Sequence, residues 1–131
     1  MKYIYVSIFL LAAVLVFAQP IVADFHKVTL VRVVDGDTIK FNLACKHKLF
    51  CRNMSVRVRG VDCPEMRSAN KEDKERALAA KQFTQQFLTG RKIALKSCQK
   101  GKYFRMVCDV YADGKNLATA LLEAGHAVPY K

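Results

Sequence analysis

Asp35, Asp37, Asp62 and Glu65 stand where carboxylates are least expected. Residues 38–61 contain no acidic residue and six basic ones, and residues 76–108 contain no acidic residue and eight basic ones. Four of the eleven acids in the chain border the first of these stretches. A surface that only grips phosphates gains nothing from carboxylates, which repel the ligand. Carboxylates inside a basic field make sense if they hold a hard metal ion or move a proton. Taken alone, Asp35-Gly36-Asp37 is more often a turn, and Asp62 can cap the turn at Pro64.

The combination is sharper than its parts. Val34-Asp35-Gly36-Asp37-Thr38 is followed by Val56-Arg57-Val58-Arg59-Gly60-Val61-Asp62-Cys63-Pro64-Glu65. Later come Gly101-Lys102-Tyr103-Phe104-Arg105 and Tyr111-Ala112-Asp113-Gly114-Lys115. This set resembles the thermonuclease family, the staphylococcal-nuclease-like calcium-dependent nucleases, over about residues 27–130. The resemblance implies an OB barrel with helices and hydrolysis of phosphodiester bonds in DNA and/or RNA.

It also implies roles, position by position. Asp37 and Asp62 would be carboxylate ligands of Ca²⁺, Cys63 would lend its backbone carbonyl, and Asp35 would act through a water. Arg57 and Arg105 would be the two catalytic arginines and Glu65 the catalytic carboxylate. Lys102 and Tyr103 match a substrate-contacting pair, and Tyr130 matches a nucleoside-stacking tyrosine. The chemistry agrees with those roles. Two carboxylates and a carbonyl form a hard oxygen site that suits Ca²⁺ over Zn²⁺. Glu65 would take the proton of the attacking water. Two arginine forks can neutralise phosphate oxygens in a geometry that lysine does not copy.

Three departures stand out. Cys63 replaces a small or hydroxyl residue. Phe104 replaces a glycine between Tyr103 and Arg105, and a positive φ there would strain it and affect the aim of Arg105. The chain ends at Lys131, soon after the second helix, so the third helix of well-known relatives is not expected.

These residues need a scaffold. Val28–Val34 is rich in β-branched residues and ends at Asp35-Gly36, and Thr38–Ala44 alternates as the second arm of a hairpin. Ser55–Val61 alternates too, with Val56, Val58 and Gly60 on one face and Arg57 and Arg59 on the other. Asn70 can cap a helix whose first turn is acidic, continuing through Ala77, Ala80, Phe83, Phe87 and Leu88 to a C′ glycine, Gly90. Ile93–Ser97 and Tyr103–Ala112 read as the fourth and fifth strands. Asn116 caps a short helix that Gly125 stops. The order β-β-β-α-β-β-α suits a mainly β fold, a five-stranded Greek-key barrel of the OB type.

Composition narrows the class further. The 131 residues carry 22 Lys+Arg against 11 Asp+Glu, a net charge of +11, and are 52% hydrophobic. That excludes a disordered basic tail and a multi-domain enzyme, and it favours an anionic partner. Lys2 followed by an apolar run reads as a secretory signal over residues 1–23, cut after Ala23, with the nuclease domain at 24–131. A retained anchor helix is the other reading, although the run is short for a span. The cut predicts a secreted protein, extracellular or periplasmic, with no stable membrane association, and a monomer is expected. The substrate would be single-stranded or frayed DNA or RNA.

Five cysteines are present without a CxxC pair, which argues against a zinc site. Cys45–Cys51 and Cys98–Cys108 are candidate bridges. Strand alternation opposes the second, because Cys98 falls on the Lys92/Lys96 face while Cys108 shares a face with Met106 and Val110. The bland reading is that several cysteines are buried and reduced.

Two other functional classes compete with the nuclease. One is an OB-fold module that grips single strands without cutting, indifferent to chelators. The other is a cationic protein acting on anionic membranes, but the basic amphipathic helix it needs is missing.

Overall fold

In the computed structural model, described over residues 22–131, the alternating segments pair as hairpins. The expected leader lies outside the described residues except for Val22 and Ala23. Strands β2 (Val28–Asp35) and β3 (Thr38–Leu43) form the first hairpin, and β3 continues antiparallel to β4 (Met54–Val58). Ile39, Phe41 and Leu43 point into the core from β3, and Val56 and Val58 from β4. Each such side chain contributes about 1.5–3 kcal/mol on burial.

Strand β4 then runs parallel to β7 (Met106–Ala112), which pairs antiparallel with β6 (Ile93–Lys100). A short β1 (Ala23–Phe25) extends the edge beyond β6, and β8 (Lys115–Asn116) hangs on β7. The sheet order is therefore β1-β6-β7-β4-β3-β2. It curls into a half-barrel of the OB type. A separate ribbon joins β5 (Val61–Asp62) to β9 (Val128–Pro129).

Among the described residues three helices complete the fold: α1 (Lys48–Cys51), α2 (Lys71–Leu88) and α3 (Leu117–Glu123). The Asn70 side chain caps α2 by accepting from the Glu72 N–H, and Asn116 caps α3 by accepting from the Thr119 N–H. Gly90 and Gly125 follow these helices at φ +73° and +74°, where a side chain would be strained. Helix α2 buries Ala77, Ala80, Thr84 and Leu88. Phe83 and Phe87 are only partly buried against the core, so Thr84 takes the innermost place.

Two expectations are corrected. The fifth long strand begins at Met106, not Tyr103. Tyr103 and Phe104 have φ of +58° and +53°, and a strand cannot pass through left-handed residues. The Gly101 N–H donates to the Arg105 carbonyl at 2.7 Å and closes this stretch into a loop.

The second correction concerns Cys98. Ser97 lies at φ +52°, and the β6–β7 register jumps from Lys96↔Asp109 to Gln99↔Val107. This bulge places one extra residue on β6 and turns Cys98 inward. Cys98 is buried and bridges to Cys108, with the Cα atoms 4.2 Å apart. Cys45 and Cys51 are bridged as well, leaving Cys63 as the free cysteine.

Candidate active site

The turn between β2 and β3 is held from below by α2. Thr84 donates its hydroxyl proton to the Gly36 carbonyl at 2.6 Å. A Cβ on Gly36 would lie 2.8 Å from the Ala80 Cβ and 2.9 Å from the Cys63 Sγ. Glycine is needed here for close approach, since no other side chain fits between helix and loop. The flanking Asp35 and Asp37 are thereby fixed on the barrel.

Both aspartates then staple the 62–66 segment to the hairpin. Asp37 Oδ2 accepts the Cys63 N–H at 2.7 Å, and Asp35 Oδ1 accepts the Met66 N–H at 2.9 Å. Asp37 is 1% exposed. Its charge is met by the Arg57 Nη1, 2.5 Å from Oδ2, and its Oδ1 accepts the Thr38 hydroxyl at 3.1 Å. The other nitrogen of the Arg57 fork, Nη2, donates to Asp62 Oδ1 and to the Val61 carbonyl, both at 3.1 Å. Burial alone would lower the Arg57 pKa, but Asp37 and Asp62 outweigh it and hold it above the ordinary arginine value. Burial, then the Asp37 charge, push the Cys63 thiol up to about 12, so it stays protonated.

A groove of about 830 Å³ opens above this pair, lined by Asp35, Arg57, Asp62, Glu65, Lys102, Tyr103, Arg105 and Tyr130. The sequence-predicted residues therefore meet in one place, apart from Asp37, which is buried, and Cys63, which lines an adjoining hollow with Asp62 and Glu65. Glu65 is exposed and, among the described residues, forms no salt bridge. Arg105 enters from the loop before β7, and its buried Nε has no hydrogen-bond partner among the described residues. Tyr130 is 60% exposed, and its ring lies 5.6 Å from the Arg57 guanidinium carbon. Its N–H donates to the Gly60 carbonyl at 3.0 Å, beside the β5–β9 ribbon.

Arg59 departs from its neighbour. Its guanidinium donates to the Ser97 and Val107 carbonyls and pairs with Asp109 at 2.9 Å. It braces the β6 bulge, while Arg57 serves the groove. Sequence reasoning missed Arg67, which lines the groove and an adjoining hollow of about 560 Å³ shared with Asp62 and Glu65. A basic side chain two residues beyond Glu65 was the available signal. It also missed Thr84, for which a polar residue among the apolar positions of a helix was the only sign.

A profile of the staphylococcal nuclease homologue family matches residues 55–131. The chain belongs to this family. The matched segment holds Arg57, Asp62, Glu65, Arg105 and Tyr130, while Asp35 and Asp37 precede it. The chain is also similar to a protein named Endonuclease Htp3 from Saprolegnia parasitica (strain CBS 223.65). The two are 33% identical over 114 residues, which is 77% of this chain and 54% of the relative. The chain thus spans about half the length of that relative.

The residues fit a hard divalent cation in their chemistry. Asp37 and Asp62 carry oxygen donors of the kind such an ion takes, and both are occupied here by the Arg57 fork that lies between them. Among the described residues, no group of three or more His, Cys, Asp or Glu side chains forms a ready cage.

Proposed function

We propose that this chain is a metal-dependent endonuclease that hydrolyses phosphodiester bonds in DNA and/or RNA without choosing between the sugars. The observation that carries this reading is the Arg57 fork. It bridges a buried and an exposed aspartate at the floor of a groove also lined by Arg105 and by Glu65, which forms no salt bridge among the described residues. A domain that only binds strands has no use for an unpaired carboxylate among phosphate-binding cations.

Asp37, Asp62 and the Cys63 carbonyl would hold Ca²⁺, with Asp35 reaching it through water. The ion would supply Lewis-acid polarisation of a phosphate oxygen. The chain's own residues do the rest. Arg57 and Arg105 donate to phosphate oxygens and offset the growing negative charge. Glu65 accepts the proton of the attacking water. Lys102 steers the strand by charge, Tyr103 meets the phosphate region, and Tyr130 stacks beneath a nucleoside. A groove open on its upper side admits a splayed strand more easily than a stiff duplex, which favours single-stranded or frayed substrate.

Two disulfides support an oxidising destination, outside the cell or in a periplasm, for a monomer released from its leader. Among the described residues, no helix is long and apolar enough to cross a membrane. Plasmid DNA, single-stranded DNA and RNA incubated with the purified protein in Ca²⁺ test the reading. Cutting that stops on adding chelator is expected. Binding without any cutting in Ca²⁺ would replace it with a strand-binding role, and full activity in chelator would remove the metal.

A further inference from the structure

Beside the groove lies an exposed aromatic cluster that the proposed chemistry does not use. Phe104 is 64% exposed and Phe50 48%. Their ring centroids are 5.7 Å apart at 42°, and His47 meets Phe50 at 6.5 Å, edge to face. The two phenylalanines come from loops far apart in sequence. Phe50 sits on α1, inside the loop that Cys45–Cys51 closes. Phe104 sits on the loop that brings Lys102, Tyr103 and Arg105 to the groove.

Burial does not explain Phe104, and its backbone opposes it. It lies at φ +53°, next to Tyr103 at +58°. Aromatic residues rarely adopt that conformation, and glycine would take it without strain. Such strain persists where the side chain serves a purpose. Lys46, Lys48 and Arg52 lie within four residues of Phe50 in sequence and Lys102 two residues before Phe104, all exposed, and no acid occurs between residues 38 and 61. Exposed π faces on segments rich in cations and free of acids match a nucleic-acid strand whose bases are unpaired.

We propose that His47, Phe50 and Phe104 form a stacking platform for unpaired bases of the strand whose phosphate lies in the groove. The platform rests on the nuclease reading for its substrate, and it adds a site that selects single strands several nucleotides from the cut. Lys102 and Tyr103 make it continuous with the groove. A duplex, whose bases are already stacked on each other, gains nothing from it.

The test is fluorescence anisotropy with a phosphorothioate single strand of about 12 nucleotides, compared with the same backbone carrying abasic positions. Phe50→Ala and Phe104→Ala are each expected to weaken binding of the base-bearing strand about 5- to 100-fold. The abasic strand should lose far less. Phe50→Trp should restore affinity, and Phe50→Leu, which keeps an apolar contact to Phe104, should not. Equal losses on both strands, or no loss on either, would overturn the platform. So would sedimentation with anionic phosphatidylglycerol vesicles that depends on Phe50 while strand affinity does not, since the cluster would then be a membrane contact. Cutting by the unaltered protein reports separately on the nuclease reading. An inactive chain that still shows the stacking pattern keeps the platform and loses the chemistry.

Discussion

Asp37 carries two duties on one carboxylate. It accepts the Cys63 N–H and balances Arg57, in a position only 1% exposed. Removing its partner leaves a buried charge with fewer donors around it. Arg57→Ala should therefore destabilise the fold by about 2 kcal/mol, at the low end for a broken buried pair because the guanidinium edge reaches the groove. Calorimetry should read this as a fall of about 8–16 °C in Tm for a domain of this size. Arg57→Lys should recover much of the stability yet lose about 10²–10³ in turnover, since an ammonium cannot bridge Asp37 and Asp62 while facing a phosphate. Glu65 offers the opposite case, exposed and without a partner. Glu65→Gln should leave Tm unchanged and cost about 10²–10⁴ in turnover. A loss below about tenfold would reject a general base and leave Glu65 at most orienting the water.

At the scale of elements, helix α2 sets the height of the turn that carries Asp35 and Asp37. Gly36→Ala must push against the Ala80 Cβ at 2.8 Å and the Cys63 Sγ at 2.9 Å. An overpacked contact costs about 1–3 kcal/mol, and here it would lift Asp35 and Asp37 together. Activity should fall along with Tm, and adding Ala80→Gly should restore part of both. Thr84→Val should reproduce the loss by leaving the Gly36 carbonyl unmet. What was legible in the sequence divides along the same line. Asn70, Asn116, Gly90 and Gly125 act within one turn of chain, so the helix ends could be read directly. The aspartates, Arg57 and Glu65 sit in short runs that the family shares, and those also could be read. Thr84 acts on Gly36 across 48 residues, and no local pattern carries that. The Cys98–Cys108 bridge was opposed by simple alternation. The bulge at Ser97 is held by Asp24, which accepts its N–H, and by Arg59, which donates to its carbonyl. Such partners are visible only once the sheet is assembled.

Over the whole molecule, charge and cross-links govern behaviour. Strand binding should weaken steeply with salt, with a log–log slope of about −0.7 per phosphate contacted on a single strand. Anisotropy at several salt concentrations measures this, and a flat response would count against the basic field as the gripping surface. Protein unfolded without reductant should show one titratable thiol, Cys63. In the folded state that thiol should resist alkylation, because it is buried and its pKa lies at about 12. Its reaction should quicken as the pH rises toward that value, since only the thiolate reacts. Cys98 and Cys108 lie on either side of the exposed Lys102–Phe104 segment, a loop tip of the kind proteases nick first. A trypsin cut after Lys102 would leave an amino-terminal and a carboxy-terminal piece joined by sulfur. The cut chain would run as one band on a non-reducing gel and as two after thiol treatment. The bridge thus keeps the two pieces covalently joined across a severed loop, a useful property in an environment that contains proteases.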